Sequence, residues 1–277
     1  MSIKSDDFDK LLKSVKDISV HAGKIILEVY GSDFSGSIEN KKDNSPVTVA
    51  DKKANRYIVD RLESLTPGIP VIAEESDQID FEKRKKFDFF WLVDPLDGTK
   101  EFIKRNGDFT VNIALMQKDR PVMGIVYVPL EKKLYWAIEH KGAYLEYGDK
   151  IRKLKVKKIN LNKKGLKILV SRSHLDNKTK DYINKFNEPI IEQRGSALKF
   201  LLIVEGKADI YFRFSPTMEW DTAASHIILK EAGNSLLNIE TKKELNYNKK
   251  SLINPGFIVL SKENEEIESV FNNIVTK

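Results

Sequence analysis

The chain has 277 residues, of which 41% are hydrophobic and 32% charged, with a formal net charge of +6 and no cysteine. A chain of this length and apolar content can bury a large core, as one large domain or as two packed lobes. The lack of cysteine excludes disulfides, thiolate catalysis and cysteine-ligated zinc or iron–sulfur centres, and it suits a cytosolic protein.

The N-terminal stretch MSIKSDDFDKLLKSVKD is too polar for the apolar core of a signal peptide, and no run nears the ~18 apolar residues of a membrane span. The expectation is a soluble, cytoplasmic protein without a transmembrane segment. Lysines and arginines are interspersed with acids rather than gathered in a basic tail, so nucleic acid is not expected as the primary partner. Surplus positive charge also suits an enzyme that attracts phosphorylated substrates.

Phe8, Leu11, Leu12, Val15, Ile18, Ala22, Ile25, Ile26 and Val29 recur at spacings of three and four, which predicts an amphipathic helix stopped near Gly31. SGSIENKKDNSPVT has no such period and reads as a loop or short hairpin. A second helix carries Ala54, Tyr57, Ile58, Arg61, Leu62 and Leu65 on its stripe and ends at TPGIP. PVIAEE is a short buried strand ending in acids, and FFWLVD is a second. FTVNIALMQ, PVMGIVYVP, KLYWAIE and GAYLEY follow as strands separated by turn signals. The lysine-rich segment 148–165 reads as an exposed crossing between an N-terminal lobe, 1–150, and a C-terminal lobe, 151–277. Beyond it LKILVSRSH, ADIYFRF and FIVLS read as strands, and SALKFLLIVEG, WDTAASHIILKEAG and ENEEIESVFNNIV as helices. Two helices followed by a run of strands, then alternating strand and helix, suit an α+β layered sandwich better than a doubly wound sheet.

The stretch WLVDPLDGTKEF drives a buried strand into Asp94 and Asp97. Each acid alone reads as a strand-end or turn residue. Together with Glu74, at the end of the preceding strand, they make a group of carboxylates that repel unless a cation sits among them. Oxygen ligands without histidine or cysteine select magnesium, calcium or manganese over zinc. Pro95 fixes φ between the two acids, and Gly98 permits close approach of backbone to a ligand. The amides at Gly98 and Thr99 suit phosphate, and the Thr99 hydroxyl can orient a water. Such parts serve phosphoryl transfer to water. Asp221 stands at the start of a later helix and Asp51 in the first turn of an earlier one; by themselves both read as ordinary helix-start acids.

At these residues the sequence resembles the magnesium-dependent, lithium-sensitive sugar-phosphatase superfamily of inositol monophosphatase and fructose-1,6-bisphosphatase. WLVDPLDGT is similar to its first signature, WDTAASHIILKEAG to its second, and AEES to its metal-binding glutamate motif. DGTKEFIKRNGDFTVNIAL, SRSH, GSALKF and FRFSPTMEWDTAA resemble, more narrowly, the CysQ-type 3'(2'),5'-bisphosphate nucleotidases. The resemblance implies a layered αβαβα sandwich and removal of the 3'-phosphate of 3'-phosphoadenosine 5'-phosphate. It implies two or three Mg²⁺ ions held by Glu74, Asp94, Asp97, Asp221 and the carbonyl of Leu96. Thr99 would orient the attacking water with Asp51 and Glu74 beside it. Gly98, Thr99, His174, Ser196, Lys199, Arg213 and Asp221 would contact the substrate. The alternatives are action on an inositol or fructose phosphate, or nucleotide binding without catalysis. Superfamily members include monomers and homodimers, and peripheral association with the inner membrane is compatible with the sequence.

Overall fold

The computed structural model describes residues 5–33, 38–41, 46–156, 159–172 and 177–261. Helix α1 (Ser5–Tyr30) buries Leu11, Leu12, Val15, Ile18, Ala22, Ile26 and Val29, the stripe that its periodicity predicts. Two short antiparallel strands, β1 (Glu39–Asn40) and β2 (Pro46–Val47), lead into α2 (Val49–Leu65). Thr48 caps α2 in a reciprocal capping box with Asp51, and Ala50, Ala54, Ile58 and Leu62 form its buried face. The four-residue spacing of that face lets α2 lie along α1 on one sheet.

That sheet has seven strands in sequential order: β3 (Val71–Ala73), β4 (Phe89–Asp97), β5 (Thr110–Gln117), β6 (Arg120–Val128), β7 (Lys133–Ile138), β8 (Gly142–Tyr147) and β9 (Lys150–Leu154). Only β3 and β4 pair in parallel. Short helices α3 (Phe81–Arg84) and α4 (Thr99–Ile103) flank β4. The segment read as an exposed crossing therefore opens with an edge strand, and the sheet continues to Leu154. Lys150–Lys153 are exposed and Leu154 is buried, so the strand owes its place to backbone pairing with β8 rather than to an apolar face.

The second sheet runs in the order β11 (Ile190–Arg194), β10 (Lys167–Ser171), β12 (Ile210–Arg213), β16 (Phe257–Ser261), β14 (Asn234–Asn238). Helices α5 (Asn177–Ile183) and α6 (Leu198–Val204) connect its first three strands. A small pair, β13 (Thr217–Met218) with β15 (Ile253–Asn254), precedes and follows α7 (Glu219–Ala232). Strands β11 and β14 and helix α5 lack the strong periodicity that reveals the longer elements. The C-terminal helix expected from ENEEIESVFNNIV lies outside the described residues.

Three apolar clusters define five layers. α1 and α2 pack with Trp91, Val93, Ile113, Leu115 and Ile125 on one face of the seven-stranded sheet. Phe90, Leu92, Ala114, Met116 and Val126 on its other face join α6, α7 and Leu169, Tyr211 and Val259 of the second sheet. The far face of that sheet packs Ile168, Val170, Ile210 and Phe212 against Tyr182 and Ile183 of α5. This is the expected αβαβα sandwich. The central helix α7 is buried on nearly every side between the two sheets, and Glu219, Thr222, Ser225 and His226 are buried along with its apolar residues. It approaches β6 so closely that a Cβ on Gly124 would lie 2.4 Å from the carbonyl oxygen of Ala224. Among the described residues no helix is long and apolar enough to cross a membrane.

Candidate active site

The acids converge because of a defect in β4. Residues three apart on a regular strand face opposite sides. Here Asp94 pairs with Asn112 but Asp97 with Thr110, so three steps along β4 match two along β5. The extra residue is a β-bulge, placed where Pro95 has no amide to donate, and it re-aims the strand end. Glu74 arrives from the parallel neighbour, its amide bonded to the carbonyl of Val93 at 3.1 Å. Asp221 arrives from the first turn of α7. One oxygen each of Glu74, Asp94 and Asp221 lies within 4.8 Å of the other two.

Asp51, Asp94, Asp97 and Asp221 are each anchored through the backbone. Asp94 Oδ1 accepts from the Leu96 amide at 3.1 Å, and Asp221 Oδ2 from the Met218 amide at 2.8 Å. Asp97 Oδ2 accepts from Ser196 Oγ at 2.8 Å, the Ala197 amide at 2.6 Å and Asn112 Nδ2 at 3.3 Å. Asp51 splits its oxygens. Oδ2 caps α2 through the amide and hydroxyl of Thr48, and Oδ1 accepts from Thr99 Oγ1 at 2.9 Å. The carbonyl of Leu96 lies 3.3 Å from the same hydroxyl. Helix capping and site building are therefore not alternatives for Asp51 and Asp221; one carboxylate does both.

Crowding shows in the proton affinities. Burial, then the carboxylates of Glu74, Asp97 and Asp221, raise Asp94 well above the ordinary range. Burial, then Asp97 and Glu74, do the same to Asp221. Burial also raises Asp51, against the hydrogen bonds from Thr48 and Thr99. Glu74 is raised by burial, and the Lys41 ammonium, 2.7 Å away, opposes the shift. Lys41 also pairs with Glu75, which burial pushes up to about 7. Deep carboxylates in mutual repulsion, with oxygen donors and no imidazole or thiolate among them, fit a hard divalent cation: its charge would replace the protons that the group otherwise retains.

A cavity of about 180 Å³ opens over this cluster. Glu74, Asp97, Gly98, Thr99 and Asp221 line it together with Ser171, Gly195, Ser196, Lys199 and Arg213. Gly98 has φ +97°, and a Cβ there would lie 2.5 Å from the Asp108 carbonyl oxygen, so only glycine fits. Arg213 is half-buried, its guanidinium held by Ser215 and the Pro216 carbonyl. Lys199 is almost fully buried, and burial followed by the charge of Arg213 lowers it to about 8. The structure thus brings Asp51, Glu74, Asp94, Leu96, Asp97, Gly98, Thr99, Ser196, Lys199, Arg213 and Asp221 to one place; His174 lies outside the described residues. Ser196 lines the cavity and donates to Asp97.

Sequence reasoning missed Lys41, Glu75 and Asp108. Asp108 is buried and accepts from the Gly195 amide at 2.8 Å and Arg172 at 2.9 Å, which ties the loop before β5 to the second sheet. None of the three stands in a periodic segment, and only the doubled glutamate of AEES hinted at one of them.

Residues 7–275 match the inositol monophosphatase family. The chain is 42% identical over 250 residues to the 3'(2'),5'-bisphosphate nucleotidase CysQ of Salmonella typhimurium, covering 90% of this chain and 99% of that protein. Against the CysQ of Haemophilus influenzae the identity is 33% over 265 residues, 95% of this chain and 97% of the other. The crystal structure of CysQ from Bacteroides thetaiotaomicron, a bacterial member of the inositol monophosphatase family, superposes with a TM-score of 0.79 at 41% identity, covering 92% of this chain and 98% of that one. The inositol monophosphatase of Thermotoga maritima shares the fold, with a TM-score of 0.78 at 24% identity over 96% of this chain and 98% of that one.

Proposed function

The chain belongs to the inositol monophosphatase family, and on that premise we propose that it is a Mg²⁺-dependent phosphomonoesterase that hydrolyses the 3'-phosphate of 3'-phosphoadenosine 5'-phosphate to give AMP and phosphate. One observation carries the reading: three carboxylates meet within 4.8 Å beside a cavity that Lys199 and Arg213 also line. The CysQ relatives, whose names state this activity, support the choice of substrate.

In this reading Glu74, Asp94, Asp97, Asp221 and the Leu96 carbonyl hold two or three Mg²⁺ ions. Bound there, the cation would acidify a water and neutralise charge on the phosphate. The chain's own groups do the rest. Thr99 gives its proton to Asp51 and so presents oxygen lone pairs toward the cavity, where they accept from and orient a water. Burial raises the basicity of Asp51, which suits it to take the proton passed on through Thr99. Glu74 is the second acceptor at the same position. Gly98, lacking a side chain, lets phosphate oxygens reach its amide and that of Thr99. Arg213 meets the remote 5'-phosphate with two parallel hydrogen bonds, and Lys199 adds positive charge behind it.

The test is phosphate release from 3'-phosphoadenosine 5'-phosphate and from inositol 1-phosphate, side by side, with Mg²⁺ and with EDTA. Metal-dependent preference for the nucleotide is expected. Preference for the inositol ester would overturn the substrate, and no release from either would overturn the catalytic reading.

A further inference from the structure

Lys199 lines the cavity, yet its ammonium is already engaged. Nζ donates to the Ser196 carbonyl at 2.7 Å and to the Arg194 carbonyl at 3.2 Å, and it lies 5.4 Å from the centroid of the Tyr211 ring. The residue is 2% exposed. An ammonium has three hydrogens; two are spent on the chain's own backbone and an aromatic face covers another side, which leaves little for a solute.

The backbone that it braces is unusual. Ser196 has φ +54°, a conformation that residues other than glycine rarely hold and that persists only where neighbours enforce it. Those neighbours are the Lys199 ammonium on its carbonyl, Asp97 and Thr110 on its hydroxyl, and Asp108 on the preceding amide. Held this way, the turn directs Ser196 Oγ and the Ala197 amide onto the same oxygen of Asp97, at 2.8 and 2.6 Å. Asp97 ends a strand of the first sheet, while the turn links β11 and α6 of the second. The carboxylate is therefore oriented across the two sheets.

We propose that Lys199 is a positioning residue: it braces the Arg194–Ser196 backbone so that Ser196 and Ala197 hold one oxygen of Asp97 and turn the other toward a divalent cation. This rests on the reading of Asp97 as a metal ligand. It assigns to the second sheet control over a ligand of the first, and it makes loss of the ammonium a defect in metal binding before any substrate arrives.

The experiment is calorimetric titration of Mn²⁺, without substrate, into the full-length wild type, Lys199→Met, Ser196→Ala and the double variant, alongside hydrolysis of adenosine 3'-monophosphate, which has no second phosphate. Partners that orient a metal ligand typically account for about 10–100-fold in affinity, so each single variant should bind Mn²⁺ about tenfold more weakly. Because the two act along one chain of contacts, the double variant should lose little beyond the worse single one. Hydrolysis of the monophosphate should fall with metal affinity. Mn²⁺ affinity within about twofold of wild type in Lys199→Met, with only the KM for the bisphosphate raised, would overturn the proposal and leave Lys199 an anion contact. If Lys199→Met does not fold, Ser196→Ala decides alone: unchanged Mn²⁺ affinity overturns the proposal and weakened affinity supports it. A wild type that takes up no Mn²⁺ would overturn the reading of the acids themselves, and this inference with it.

Discussion

Replacing Asp94 with asparagine separates what the acid cluster does for the fold from what it does for a cation. Asparagine keeps the side-chain shape and the oxygen that accepts from the Leu96 amide, and it removes one charge. With oxygens of Glu74, Asp94 and Asp221 within 4.8 Å of one another, each ionised pair repels by ~3.5 kcal/mol or more at an effective dielectric of ~20. Without a cation the wild type either bears this repulsion or retains a proton, which at pH 8 costs ~1.4 kcal/mol per unit above an ordinary carboxylate pKa, or ~5.6 kcal/mol. The variant escapes the smaller of the two burdens. A gain of ~3 kcal/mol, at an unfolding entropy of ~2.1 cal/mol/K per residue over 277 residues, raises the midpoint in EDTA by ~5 °C. Mg²⁺ should reverse the order: at a thousandfold excess over Kd the wild type gains ~4.1 kcal/mol, more than the variant's lead in EDTA, while the variant, lacking the central carboxylate, gains almost nothing. Scanning calorimetry at pH 8, in EDTA and in saturating Mg²⁺, reads both effects. A variant less stable than wild type in EDTA, or equal Mg²⁺ shifts in the two proteins, would refute the reasoning.

Asp51→Asn keeps an oxygen for the cap but weakens the acceptor for Thr99; kcat should fall ~100-fold with Mg²⁺ affinity nearly unchanged, and parallel loss of both would place Asp51 among the metal ligands instead. Gly124→Ala puts a Cβ 2.4 Å from the Ala224 carbonyl and must push α7 off the sheet, so thermal melts should show a loss of ~1–3 kcal/mol; an unchanged midpoint would mean that the helix seat is pliable. Burial, then Arg213, lowers Lys199 from 10.5 to about 8, so between those values the folded protein binds fewer protons than the unfolded chain. Stability should therefore rise as pH climbs from about 8 to 10.5, by on the order of 3 kcal/mol, and urea unfolding of Lys199→Met should lose that slope.

The layered fold was legible where burial imposes a period. The stripes of α1 and α2 and the strands β4 to β8 stand out because each must present one face, or both, to an apolar layer. Strand β9 was hidden in a lysine-rich segment, since an edge strand needs backbone partners and no apolar face. β11 was equally quiet: Ile190 and Ile191 are about half exposed, and the strand is held by pairing with β10.

Chemistry was legible at WLVDPLDGT, because two acids, a proline and a glycine in nine residues serve no apolar layer. By itself the sequence determined which oxygen donors exist and that no cysteine competes with them. Only the tertiary structure decided which donors meet. The bulge at Pro95 brings Asp94 and Asp97 to one side, β3 carries Glu74 beside them, and α7 delivers Asp221 from more than a hundred residues away. It also decided what Ser196 and Lys199 touch. Composition and spacing record the neighbours of a residue along the chain, whereas hydrogen bonds and charge interactions act over a few ångströms of space, and the fold alone converts one into the other.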